Sequence, residues 1–305
     1  MSYTIAALLD QLAAELAGAG VPPARADARD LIAAVLEKPK FWPSANQSLE
    51  LDGATAGAIR EAAAHLRRGM PFQYAVGKAA FRHLTLRVDR RVLIPRPETE
   101  LIVDLVLALT QSGGRVADIG TGSGAIALAL AAEGNFEKIF ATDASPDALA
   151  VTRTNLEAIP PSRREAIELR EGDLLDPVRG ERLRAVVSNP PYISPAEAGD
   201  LPASIRDWEP PLALFSEENG MAAIRAIVRD APLVLEPGGV LVLEIDTRRA
   251  AHVRDCVAAD TRFRDVELRL DLTGRERFLV ARRKEWYETE GSGEMGEASG
   301  RKISC

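Results

Sequence analysis

Cysteine is almost absent. Cys256 and Cys305 stand in unrelated contexts, too few for a disulfide framework. With His65, His83 and His252 they complete no zinc spacing, so no metal site is expected. Aromatics make up only 5% of the 305 residues, and basic residues are outnumbered. Against 38 Lys and Arg stand 45 Asp and Glu, a formal net charge of −7. That balance argues against stable nucleic-acid binding, which takes its affinity from basic side chains that displace counterions. No apolar run reaches the ~18 residues of a membrane span, so no membrane partner is expected. Asp10 and Glu15 interrupt the stretch where a secretion signal would be apolar. A reduced, cytoplasmic setting follows as the expectation.

What is present is patterned. Ile5, Leu8, Leu9, Leu12 and Leu16 recur at helical spacing up to Gly18 and Gly20. Pro22-Pro23 opens a second helix through Ala28, Leu31, Ile32 and Val35, and Asp52 suits the N-cap of a third that ends near Gly69. From Phe72 to Ile94 the pattern turns to short β-like runs, with Ala80-Phe81 and Leu84–Val88 as hairpin strands. Strands and helices then alternate: Arg115–Ile119, Lys138–Thr142, Ile167–Arg170, Ala185–Ser188 and Val240–Ile245, with helices starting near Ser123, Ser145, Gly220 and Arg248. This alternation predicts βαβ units, hence a parallel sheet covered on both faces. Val266–Leu270 and Arg277–Ala281, joined through Thr273-Gly274, read as a terminal antiparallel pair. The expected organisation is a helical domain over 1–71, a β-hairpin linker over 72–95, an α/β domain over 96–284 and a disordered tail over 285–305, where Gly, Ser and Glu replace large aliphatics.

Two segments carry chemistry. Asp118-Ile119-Gly120-Thr121-Gly122-Ser123-Gly124 joins a strand to a helix start. Glycines let backbone pass close to a ligand, and the helix start offers unpaired N–H donors. By itself the loop fits a methyl-donor nucleoside, a dinucleotide or a structural turn, since Gly120, Gly122 and Ala125 also satisfy a dinucleotide fingerprint. Asp118 favours the first: an acid there can accept from a ligand amine or order a water, whereas a pyrophosphate would be repelled. Asp143, ending the next strand, can take both ribose hydroxyls. Asp173, followed by Leu174, can accept from an exocyclic adenine amine or simply cap a turn.

The second segment is Asn189-Pro190-Pro191-Tyr192, at the carboxyl end of the fourth strand, where open α/β sheets bind ligands. The prolines fix two φ angles and remove two donors. Asn189 adds a side-chain carbonyl, and Pro190 a backbone one. Rigid acceptors beside an aromatic suit an NH2 group. They hold its two hydrogens and aim its lone pair, which in a carboxamide is otherwise delocalised into the carbonyl. Asn189, Pro190 and Tyr192 are the candidate catalytic residues, and Pro191 shares the substrate pocket.

With these segments, Arg68–Gly77, Phe81–Val88, Ile94-Pro95-Arg96-Pro97-Glu98-Thr99-Glu100, Trp208–Leu214 and Asp271–Arg277 make the sequence resemble the peptide-chain-release-factor glutamine N5-methyltransferase family over about residues 5 to 283. The Ile94–Glu100 block is the most diagnostic. The resemblance implies a seven-stranded, Rossmann-like class I methyltransferase sheet behind a small helical domain that recognises the substrate. It implies S-adenosyl-L-methionine as cofactor, held by Asp118, Gly120, Thr121, Gly122, Ser123, Gly124, Asp143, Asp173, Leu174 and Asn189. It implies class 1 peptide chain release factors as partners, methylated on the glutamine of their Gly-Gly-Gln motif. Arg96 and Thr99 would border the glutamine pocket. One departure stands out: Glu244-Ile245-Asp246-Thr247-Arg248-Arg249 lacks the Gly and Gln expected after Glu-Ile.

Three rival readings share parts of this pattern. An adenine-N6 nucleic-acid methyltransferase faces the same NH2 problem but needs a basic target-recognition surface. A glutamine methyltransferase acting on a ribosomal protein shares most of the pattern, and the Arg68–Gly77 block speaks for the release factor. A non-catalytic cofactor-binding module would be expected to lose the tetrapeptide or the ribose acid.

Overall fold

The computed structural model describes residues 3–285; of the expected tail, all but Glu285 lies outside the described residues. Contacts divide the chain into two compact units. The first runs to Lys78 and takes in Val88–Arg90 and Leu201–Glu209; the second comprises Ala79–Arg87, Arg91–Asp200 and the chain from Pro210.

The first unit is helical. After the two-residue strand β1 (Tyr3–Thr4), α1 (Ile5–Gly18) starts where the Thr4 hydroxyl accepts from the Ala7 N–H at 3.3 Å. α2 (Ala24–Val35) follows, β2 (Glu50–Leu51) pairs antiparallel with β1, and α3 (Gly53–Arg67) begins at Asp52. The Asp52 carboxylate accepts from Thr55 N–H at 2.7 Å, as its N-cap role requires. Ile5, Leu8, Leu12, Leu16, Leu31, Ile32 and Ile59 are fully buried together, which is the helical spacing read as packing. One expectation fails here: Phe72–Val76 is not β-like but a helical turn, α4. Pro71 opens it and Gly77, at φ 70°, closes it in the left-handed conformation that ends helices. Punctuation six residues apart outweighs the β preference of Phe72, Tyr74 and Val76.

The second unit begins within the first strand of the hairpin β3 (Lys78–Phe81) and β4 (Leu84–Arg87), which α5 (Glu100–Thr110) follows. The alternation then runs β5 (Arg115–Ile119), α6 (Ala125–Glu133), β6 (Lys138–Asp143), α7 (Pro146–Asn155), β7 (Ile167–Glu171), β8 (Leu183–Ser188), α8 (Ala222–Val234), β9 (Leu235–Glu244), α9 (Ala250–Ala259), β10 (Phe263–Leu270) and β11 (Glu276–Arg283). These form one seven-stranded sheet in the order β10-β11-β9-β8-β5-β6-β7. β5 to β9 are parallel, while β11 is antiparallel to both β9 and β10. Alternate residues face opposite layers. Val116, Ile139, Val187 and Val242 pack with α5 and α6, whereas Ala117, Phe140, Val186 and Leu243 pack with α8 and α9.

The strand order reverses at β5, whose neighbours are β6 on one side and β8 on the other. Open sheets bind ligands at such a switch point. Register does the rest: Ile119 pairs with Ser188, so the glycine loop and the tetrapeptide leave adjacent strands at the same edge. The Ser188 hydroxyl donates to Ile119 O at 2.7 Å and ties the two strand ends together.

Candidate active site

Gly120, Gly122 and Gly124 all have positive φ, 71°, 57° and 83°. A Cβ on Gly120 or Gly122 would meet nothing within 4 Å, because both face open space. A Cβ on Gly124 would stand 2.8 Å from Thr152 Cγ2, so this glycine serves packing instead. Thr152 and Asn155 on α7 hold the loop from behind. The Thr152 hydroxyl donates to Gly122 O at 2.7 Å, and Asn155 Nδ2 donates to Ser123 O at 2.9 Å. Neither residue is suggested by the sequence pattern, since both reach the loop only once α7 packs beside it.

Asp118 is buried, at 1% exposure. Its Oδ2 accepts from the Thr121 hydroxyl at 2.7 Å and the Ala127 N–H at 3.1 Å, and Oδ1 has no partner among the described residues. Burial pushes its pKa up to about 7 against those two hydrogen bonds. Its first task is thus to pin the glycine loop to the start of α6. Asp143 divides its carboxylate likewise: Oδ2 accepts from Gly122 N–H and Oδ1 from Ser145 N–H, each at 2.9 Å. Burial raises its pKa, opposed by the same N–H groups. Each oxygen keeps a lone pair for a ligand.

A cavity of about 480 Å³ opens at this edge. Gly120, Gly122, Asp143, Asp173, Leu174, Asn189 and Pro191 line it, together with Leu93, Phe215, Ser216 and Ala223. The other candidates lie off its wall. Asp118, Thr121, Ser123 and Gly124 are buried. Pro190 is buried, and Tyr192 packs against the core cluster of α8 and α9. Burial and the neighbouring Glu244 push the Tyr192 phenol up to about 12, so it is neutral at physiological pH. Arg96 and Thr99 do not line the cavity. Thr99 is 5% exposed, and its hydroxyl donates to Glu244 Oε2 at 2.7 Å while accepting from Asn189 Nδ2 at 3.3 Å. Glu244, last residue of β9, was not among the candidates.

The donor set fits a nucleoside with a diol. Two glycines leave room for close backbone approach, and a carboxylate stands beside them with free lone pairs. Among the described residues no group of His, Cys, Asp or Glu could hold a metal ion, and no helix is long and apolar enough to cross a membrane.

Comparison with known proteins bears on the family and the fold. Residues 7–77 match the PrmC N-terminal domain and residues 98–201 the Methyltransferase small domain. The release factor glutamine methyltransferase of Moorella thermoacetica is 37% identical over 286 residues, covering 92% of this chain and 99% of its own length. That of Streptomyces coelicolor is 37% identical over 281 residues, 90% of this chain and 96% of its own. Among solved structures, the hMettl16 catalytic domain in complex with MAT2A 3'UTR hairpin 1 superposes with a TM-score of 0.56 at 16% identity, covering 84% of this chain and 91% of its own. This last likeness speaks for the class I methyltransferase fold alone. The chain belongs to the release factor glutamine methyltransferase family.

Proposed function

We propose that this chain transfers a methyl group from S-adenosyl-L-methionine to the side-chain amide nitrogen of the glutamine in the Gly-Gly-Gln motif of class 1 peptide chain release factors, in the cytoplasm where translation takes place. One observation carries the reading: Asn189 shares a single cavity with Gly120, Gly122 and Asp143. An acceptor for an amide NH2 and a cradle for a nucleoside therefore face one space. The relatives' shared name supplies the substrate.

When bound, S-adenosyl-L-methionine would supply an electrophilic sulfonium methyl with a neutral thioether as its leaving group. The chain's own residues do the positioning. Asp143 would receive the ribose hydroxyls, and Asp173 would accept from the adenine amine. Asn189 Oδ1 and the Pro190 carbonyl accept the two amide hydrogens, which turns the nitrogen lone pair out of conjugation and toward the methyl. No base is needed before transfer, because the proton leaves the cationic product nitrogen afterwards. The N-terminal helical unit recognises the release factor.

The test is mass spectrometry of a purified release factor after incubation with enzyme and methyl-labelled cofactor. Label on the Gly-Gly-Gln glutamine is expected. Label on nucleic acid, with that glutamine unmodified, overturns the substrate.

A further inference from the structure

An amide side chain has two nearly isosteric ends, and only one of them helps here. Asn189 must present Oδ1 to an incoming NH2, since its own NH2 would meet the substrate's hydrogens head-on. Nothing in the tetrapeptide itself chooses between the two ends. The choice is made on the buried side, off the cavity wall.

There Asn189 Nδ2 lies 3.3 Å from Thr99 Oγ1, and Thr99 Oγ1 lies 2.7 Å from Glu244 Oε2. Thr99 and Glu244 are 5% and 2% exposed, and neither lines the cavity. A carboxylate can only accept. Thr99 must therefore spend its one proton on Glu244 and can only accept from Asn189. Asn189 must then turn Nδ2 inward, which leaves Oδ1 toward the cavity. The geometry points to Glu244 as a positioning residue that, through Thr99, sets the amide of Asn189 with its oxygen toward the substrate.

The same logic makes the relay reversible. A protonated Glu244 can donate to Thr99, whose own proton then turns to Asn189 and selects the opposite amide face. Burial pushes the Glu244 carboxyl up to about 7, against the Thr99 hydrogen bond and the charge of Arg277. The charged and titratable groups facing it are Arg96 and Glu98 on the segment before α5, Arg277 on β11 and the Tyr192 phenol after β8. Arginines stay charged throughout, and Tyr192 stays neutral until far above this range. Of these neighbours only Glu98 is another carboxylate, and a Glu98→Gln variant removes it as a control.

This inference rests on Asn189 as amide acceptor, and the experiment has two independent arms. The first needs no substrate: asparagine-selective 15N labelling of the full chain with S-adenosylmethionine bound, following the Asn189 side-chain NH2 resonance from pH 5.5 to 8.5. A titration in the wild type and in Glu98→Gln that vanishes in Glu244→Gln is expected. A resonance that does not move with pH in the wild type, or moves equally in Glu244→Gln, overturns the relay. The second arm measures kcat and KM on a release factor across the same range. The wild type should lose kcat as pH falls, with KM nearly unchanged. Glu244→Gln should lose that acid limb, and Thr99→Val should lower kcat roughly 10- to 100-fold, as small misplacements in a reacting site do. Thr99→Ser, which keeps the hydroxyl, should retain most of it. Cofactor affinity, measured by calorimetry, should be unchanged in all of them, and a loss there marks a damaged fold. An acid limb that survives in Glu244→Gln overturns the inference. A wild type that titrates in the first arm yet leaves the Gly-Gly-Gln glutamine unmethylated overturns the proposed substrate and leaves the relay standing.

Discussion

Gly220 carries a sharp prediction. Glu218, Asn219 and Gly220 are three successive left-handed residues, φ 55°, 57° and 84°, forming a tight turn just before α8. A Cβ on Gly220 would lie 2.1 Å from the Tyr192 carbonyl oxygen, 2.9 Å from Tyr192 C and 3.0 Å from Arg249 Nε. Real Cβ atoms do not come closer than 3.0 Å. Gly220→Ala must therefore push the end of the tetrapeptide or the turn back by nearly an ångström, and both are backbone. The left-handed φ costs an alanine ~1–2 kcal/mol, and overpacking a tight site adds ~1–3 kcal/mol. In a domain of this size each kcal/mol lowers Tm by about 2–4 °C. A displacement of about 1 Å beside reacting atoms costs on the order of 100-fold in rate. Differential scanning calorimetry and kcat on a release factor are the assays. Gly180→Ala is the control: its φ is 84° too, but nothing lies within 4 Å of its Cβ and it sits at the opposite end of β8. It should show the strain without the loss of rate. If Gly220→Ala kept wild-type kcat, the tetrapeptide would not depend on this buttress and the reasoning would be refuted.

Three further outcomes follow from the burial of charge. Asp118 has an ordinary pKa of 3.8 raised by burial to about 7, so between these values the folded chain holds a proton that the unfolded chain has lost. Its contribution to stability therefore falls as pH rises through that window, by up to ~1.4 kcal/mol per unit. Urea titrations without cofactor should show Asp118→Asn gaining on the wild type from about pH 4 to 7 and no further above it; a constant difference defeats the assignment. Arg82 occupies the two-residue turn between β3 and β4 and binds Glu133 at 2.6 Å, Asp104 at 2.7 Å and Glu100 O at 2.9 Å. Arg82→Ala should cost about 2 kcal/mol in urea unfolding, discounted for the exposure of Asp104, and Arg82→Lys should recover only part because the planar fork is lost. Asp143→Ala removes the acceptor of two loop N–H groups as well as the ribose contact, so calorimetry should show cofactor affinity weakened by roughly 10- to 100-fold; unchanged affinity would remove Asp143 from the site.

Much of this was legible because it is local. The N-cap at Asp52 and the bounds of β5 follow from side-chain preference within a few residues, and the structure bears them out. The hairpin pairing of β10 with β11 could be read from Thr273-Gly274 between two apolar runs. What escaped is what the sheet brings together from afar. Thr99 and Glu244 are 145 residues apart, and Asn189 and Thr99 are 90 apart. Only the pairing of β8 with β9 sets Asn189 beside Glu244, and only the packing of α5 on those strands brings Thr99 to them; no periodicity encodes either. Phe72–Val76 was misread for a different reason. Aromatic and β-branched residues outweighed a Pro and a Gly that already marked the ends of a helical turn.

The segment after Glu244 shows how local chemistry replaces an expected turn. Where Gly and Gln were anticipated, Asp246 and Arg249 build a brace from charge. Arg249 Nε donates to Asn219 O at 2.7 Å, Nη1 to Asp246 Oδ2 at 3.0 Å and Nη2 to Glu197. The Ser194 N–H and Arg249 hold the Glu197 carboxyl below its usual range, so the clamp stays ionised well into mildly acidic pH. One guanidinium thus joins three chain segments: the loop after the tetrapeptide, the left-handed turn at Gly220 and the exit of β9. Arg248 adds bonds to Asp246 and Glu197. Both arginines are matched by the two acids they touch, which makes the cluster a structural joint and not a site for an anion. The planar fork fixes direction as well as distance. The segment after Glu244, which has no glycine of its own, thus uses charge to fix the turn at Gly220, against which the Tyr192 carbonyl packs.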